Sequence, residues 1–130
     1  MSVQTQGDMK AVFMTQYKKA NFGNIQTPKS KDLMFGQVII KVHAVSLNPI
    51  DHKILDGKWK PAAGKPSSKN PAVLGQDISG TISSIGNGVK YFDVGDEVFG
   101  ISWSGALASH RYARSEQALR KTRRRATKLN

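Results

Sequence analysis

The stretch GQVIIKVHAVSLNPIDHKILDG, Gly36 to Gly57, changes its periodicity halfway along. Val38, Ile40, Val42 and Ala44 fall on one face of an extended chain, and Ile39, Lys41, His43 and Val45 on the other. β-Branched residues dominate, so the spacing predicts a strand buried mainly on one side. It must end at Asn48-Pro49, because proline offers no ladder N–H and biases its predecessor away from the helical region. Proline in a first turn, an early acid and Gly57 as a stop then predict a short helix over DHKILDG. Val45 to Gly57 also gathers an Asn-Pro step, two carboxylates, a histidine and a lysine. It is either an ordinary strand-to-helix turn or the floor of a site.

Working outward, MKAVFM (Met9 to Met14) reads as a first strand, and FGNIQTPKS (Phe22 to Ser30) supplies turn residues. Lys58 to Asn70 is rich in Pro, Gly, Ser and Lys and reads as an exposed loop. AVLGQDISGTISSIG returns to β character, with glycines at 75, 80 and 86 that suggest bulges. Turn signals follow at Asn87-Gly88 and at Val94 to Asp96, and then a short strand, DEVFGIS. Many short strands at close spacing indicate a mainly β fold with little helix. No internal repeat is evident.

At 130 residues one domain is expected. The absence of cysteine excludes a disulfide framework, a thiolate zinc site and a cysteine nucleophile. No segment has the length and apolarity of a bilayer span, nor does the N-terminus read as a signal peptide, so a soluble cytoplasmic protein without a membrane partner is expected. The net charge of +11 is uneven. Residues 1–108 carry 12 lysines against 8 acids, whereas residues 109–130 carry 8 basic residues, including all six arginines, against Glu116 alone. The composition divides the chain into a flexible leader (1–8), a body (9–108) and a basic tail (109–130).

The ordered motifs Asn48-Pro49-x-Asp51 with Gly57, Leu74-Gly75-x-Asp77-x-x-Gly80 and Gly95-Asp96-x-Val98-x-Gly100 make the body resemble a known family. It is similar to the N-terminal GroES-like, alcohol-dehydrogenase-like domain of medium-chain dehydrogenase/reductases, in the zinc-independent quinone or enone oxidoreductase branch. The resemblance covers roughly Met9 to Ala108. It implies a mainly β, GroES-like partial barrel with one or two short helices and no Rossmann domain.

Zinc-dependent members resemble this chain in fold but carry a cysteine after the AV strand and a Gly-His-Glu triplet later. Here those positions read Ser46 to Asn48 and Gly75-Gln76-Asp77, so no metal ligand set and no zinc are expected. In this branch the resemblance gives Asn48 a place beside the nicotinamide, hence cofactor binding. It gives Lys53 a place near the substrate oxygen or the nicotinamide ribose, hence a catalytic role. The physical reason is that hydride addition to an enone builds negative charge on the carbonyl oxygen, which an ammonium or amide donor stabilises. The cofactor implied for a full-length member is NADPH and the substrate a small-molecule quinone or enone. This chain is expected to bind no cofactor tightly and to be inactive alone.

The remaining candidates have blander readings. Asp51 ties down the turn, Asp77 is structural, His43 is a satisfied strand histidine, His52 sits at the surface and Trp59 packs over a barrel end. GNGVKYF lacks the third glycine and the βαβ context of a dinucleotide fingerprint. After Ser104 to Ala108, which fits a family strand, the resemblance collapses, and residues 109–130 are expected to be a disordered tail from a frameshifted reading. The competing account is a non-catalytic GroES-like binding module whose basic tail binds nucleic acid or an acidic partner. No interleaved aromatics support base stacking, so nucleic acid is not the expected partner. The expected open sheet edge would favour self-association.

Overall fold

In a computed structural model of the chain, which describes residues 8–61, 64–114 and 119–122, the fold is two antiparallel sheets, one helix and a single 3₁₀ turn at Ser30–Asp32. Strands β1 (Asp8–Gln16) and β2 (Lys19–Gln26) form a hairpin, and the two-residue β4 (Ala72–Val73) pairs with the other edge of β1. The larger sheet has the order β7-β3-β5-β6-β8, built from β3 (Gln37–Ser46), β5 (Asp77–Ile85), β6 (Glu97–Ile101), β7 (His110–Arg114) and β8 (Leu119–Lys121). A bridge between Ala11 and Ala108 links the two sheets. The expected mainly β partial barrel is therefore present, with α1 (Pro49–Leu55) as its one α-helix among the described residues.

The core follows the predicted period, with one interruption. Val38 and Ile40 are fully buried against Ile78, Ile82 and Val98 of the neighbouring strands. β3 slips against β5 between Val42 and Ala44, leaving His43 as the extra residue of a bulge. Beyond it the faces exchange, so Val45 packs on the core and Ala44 is exposed, the reverse of the uninterrupted alternation. Ile39, assigned to the outer face with Lys41, is also buried, which makes the first half of β3 two-sided.

Three segments differ from the sequence reading. Phe22 to Gln26, read as turn residues, is the second half of β2. The hairpin turns instead at Tyr17-Lys18, where Lys18 adopts φ 71° and donates its N–H to the Leu55 carbonyl at the end of α1. The segment read as a tail contributes β7 and β8. Ala113 and Leu119 join the main core, Arg111 is buried, and Lys121 pairs with Asp96 at 3.4 Å. Ser104 to Ala108, read as a strand, is a bent connection held to β1 by the Ala11–Ala108 bridge and by the Val12 N–H, which donates to the Leu107 carbonyl at 2.8 Å, and the strand proper begins at His110. The leader 1–7 and residues 123–130, with three of the six arginines, lie outside the described residues. β2, β7 and β8 each have one free edge among the described residues.

Candidate functional site

The register that aligns β3 with β5 sets Ser46 opposite Asp77, so the end of one strand faces the start of the other. Two residues later Asn48 is extended at φ −132° and ψ 167°, and Pro49 opens α1. Its fixed φ suits a first helical position, where the missing N–H costs nothing. Asp51, in the first turn, accepts the Asn48 backbone N–H through Oδ2 at 2.8 Å, while its own N–H donates to the Asn48 carbonyl at 2.9 Å. This reciprocal pair locks the turn. At the far end Gly57, at φ 84°, donates to the Ile54 carbonyl at 3.1 Å and lies against the Tyr17 ring.

The Asn48 side chain is thereby turned toward the sheet. Its Nδ2 donates to Asp77 Oδ2 at 2.8 Å, joining the first and second motifs through their side chains. A carboxylate accepts only, so the amide nitrogen must be the atom that faces it and the orientation of the amide is set. Lys53 is not part of this arrangement. It is exposed on the outer face of α1 and lines neither cavity described below. His52 is likewise exposed and approaches Asp56 at 3.3 Å, one helical turn on.

A cavity of about 450 Å³ opens beside Asp77, walled by Val45, Ser46, Ile78 and Phe99. A second, of about 240 Å³, lies under α1 and is bounded by Asp51 and Ile54 of the helix, Pro71 to Gln76, and Trp103, Arg111 and Tyr112. Asp51 and Gln76 line the smaller cavity and Asp77 the larger, so the Asn48-to-Asp77 pair adjoins both.

Arg111, Tyr112 and Trp103 were not singled out from the sequence. Arg111 donates from Nε to the Gly105 carbonyl at 3.0 Å and from Nη2 to the Ser104 carbonyl at 2.7 Å. Burial pushes its pKa down to about 10, so it stays protonated at neutral pH. Fully buried Ser102 completes the loop, with its Oγ 2.8 Å from the Gly105 carbonyl and 3.0 Å from that of Tyr112. The alternation in HRYAR was a usable signal for a strand, masked by the basic composition around it. Trp59, expected to pack over a barrel end, is exposed and lines neither cavity. His43 is exposed at the bulge, with Nε2 3.4 Å from Thr81 Oγ1. Among the described residues no group of three His, Asp or Glu side chains is placed to hold a metal ion.

Residues 35–123 match the alcohol dehydrogenase GroES-like domain family. The chain is 35% identical over 103 residues to a 2-methylene-furan-3-one reductase of Solanum lycopersicum, covering 76% of this chain and 25% of that protein. It is 41% identical over 76 residues to a chloroplastic NADPH-dependent alkenal/one oxidoreductase of Arabidopsis thaliana, covering 58% and 18%. Among solved structures it superposes on a quinone oxidoreductase from Coxiella burnetii with a TM-score of 0.70 and 33% identity, covering 88% of this chain and 37% of that one. The chain thus spans a quarter or less of the length of these two curated relatives.

Proposed function

Because the chain belongs to the alcohol dehydrogenase GroES-like domain family of the medium-chain dehydrogenase/reductases, we propose that it is the N-terminal, substrate-side part of an NADPH-dependent, zinc-independent quinone or enone oxidoreductase. The observation that carries this reading is the Asn48 Nδ2 to Asp77 Oδ2 hydrogen bond. Zinc-dependent members put metal ligands around this junction, whereas here an amide and a carboxylate satisfy each other directly. The donor set does not suit zinc, since the chain has no cysteine and the neighbouring polar side chains are Asn48, Gln76 and Asp77.

NADPH, when bound, supplies the hydride. Asn48 is held by Asp77, itself a wall residue of the open cavity, and its fixed amide suits it to orient a flat polar ring without reorganising first. Asp51 holds the turn that carries Asn48. Lys53, exposed on α1, offers an ammonium to the oxygen of a quinone or enone, where it would oppose the negative charge built up by hydride addition. The 130 residues are expected to show no turnover by themselves, and a cytoplasmic location belongs to the same proposal.

The test is the nucleotide sequence through codon 108 and several hundred bases beyond, read in all three forward frames. A glycine-rich strand–turn–helix unit in any of them supports the reading. It also supplies the longer protein on which NADPH oxidation by a quinone and an enone can be compared, with Asn48→Ala lowering kcat/KM by about 10- to 100-fold. No such unit in any frame, or turnover by the 130 residues alone, overturns it.

A further inference from the structure

The strands with a free edge are not alike. β8 is three residues long and carries Arg120 and Lys121, and β7 carries His110, Arg111 and Arg114 among its five. Short length and cationic side chains protect an edge against pairing with a foreign strand. β2 has neither protection, since it runs for eight residues and the seven from Ala20 to Gln26 hold no charge. Among the described residues its ladder goes to β1 alone. The pleat turns Ala20, Phe22, Asn24 and Gln26 to solvent, with Phe22 72% exposed, while Ile25 packs on Met9, Ala11 and Ala108 from the other face. Lys10 of β1 is taken up within the chain, its Nζ 5.7 Å from the centre of the Phe22 ring.

We propose that this edge pairs with the same edge of a second copy of the chain, antiparallel about a two-fold axis through Phe22, which joins the two small sheets into one of six strands. Symmetry restricts the register. Residues facing each other across an antiparallel pair point their backbone groups the same way, so the axis must pass through a residue. Centres at Phe22 and at Gly23 pair the strand equally well, but the second sets two glycines together with no side chain to pack. The first sets the Phe22 rings together as a cross-strand aromatic pair on the outer face. Charge selects the direction. Lys18 and Lys19 lie at the start of β2, and Asp8 lies opposite Gln26 at its end. An antiparallel partner brings the lysines of one copy to the Asp8 end of the other, whereas a parallel one sets lysines beside lysines. A single pair of strands falls below the roughly 1,200 Å² of a stable interface, so the dimer is weak, with a Kd on the order of 100 µM. The isologous contact uses both β2 edges and stops at two copies. None of this draws on the oxidoreductase reading.

The chain has no cysteine, so a single introduced thiol reports on one place. Phe22→Cys sets two thiols directly opposite, where antiparallel Cα atoms lie about 4.5–5.5 Å apart, within the span of a disulfide. Asn24→Cys sets them four residues out of register, about 14 Å apart and beyond that span. In a buffer of oxidised glutathione, Phe22→Cys is expected to give at least about tenfold more disulfide-linked dimer than Asn24→Cys. Sedimentation equilibrium of the unsubstituted 130-residue chain is expected to show a mass that rises from one copy toward two between about 10 µM and 1 mM, and no further. Phe22→Lys places two ammonium groups together at the axis and is expected to keep the chain monomeric over that range. Should Phe22→Lys fail to fold, the contrast between the two cysteine variants still decides. A single-copy mass at the top of the range, growth past two copies, association undiminished in folded Phe22→Lys, or equal cross-linking of the two cysteine variants overturns the proposal.

Discussion

At Gly105 one backbone atom serves two buried donors, since its carbonyl faces both Ser102 Oγ and Arg111 Nε. The residue adopts φ 108°, and an added Cβ would run into the Val73 carbonyl oxygen and side chain of β4. The turn is therefore closed to any side chain, on both conformational and steric grounds. Gly105→Ala is expected to lower stability by about 2–4 kcal/mol, measured as a shift in the urea midpoint. An unchanged midpoint would show that the loop relaxes without cost. Residues whose role rests on chain geometry, such as Pro49, Asp51 and Gly57, were legible in the sequence, because each has a local physical signature. Arg111 was not, since an arginine in a run of arginines looks like a solvated one until the strand that buries it is placed.

Among the elements, β3 and α1 were readable because a period-two pattern and an Asn-Pro break coincide there. The bulge at His43 was not, and it decides whether Val45 or Ala44 packs on the core. Nothing in IIKVHAVS marks the extra residue, because its cause is the register against β5. β2 escaped notice because Gly23 and Asn24 read as turn residues, while the actual turn at Tyr17-Lys18 carries no glycine or asparagine. β8 makes the sharpest test of the segment expected to be disordered. Leu119 is 6% exposed within the main core, and β8 pairs with β6 from Val98↔Lys121 to Gly100↔Leu119. Leu119→Ala is expected to cost about 2–4 kcal/mol in a urea titration, whereas a disordered tail would make the substitution neutral.

The molecule as a whole is basic, and its acid response combines two groups on opposite sides of the large sheet. His110 is held below its ordinary 6.5, first by burial and then by Lys41, its partner across β3 and β7. The unfolded chain takes up that proton more readily, so the contribution of neutral His110 to stability is full above pH 6.5 and is lost as pH falls below it. Asp96 is held below its usual 3.8, first by the Asp93 backbone N–H and with a further contribution from Lys121, so its contribution is full above 3.8 and is lost at lower pH. Melting temperature against pH is therefore expected to fall in two stages. His110→Gln should flatten only the stage that begins near 6.5, and Asp96→Asn only the one below about 4. A profile that neither substitution alters would show that acid instability comes from self-repulsion of the net charge.

The strand order also sets a clock. Lys41 in β3 pairs with His110 in β7, some seventy positions later in the chain. At the roughly 5–20 residues per second of ribosomal synthesis, β3 waits about 3–14 s between its own emergence and that of the neighbour on its outer side. Through that interval a run of valines and isoleucines offers unpaired backbone to any strand that arrives first. A nascent chain of this sequence is thus expected to engage holding chaperones while β3 stands alone on that side, and to release them only once His110 has cleared the exit tunnel.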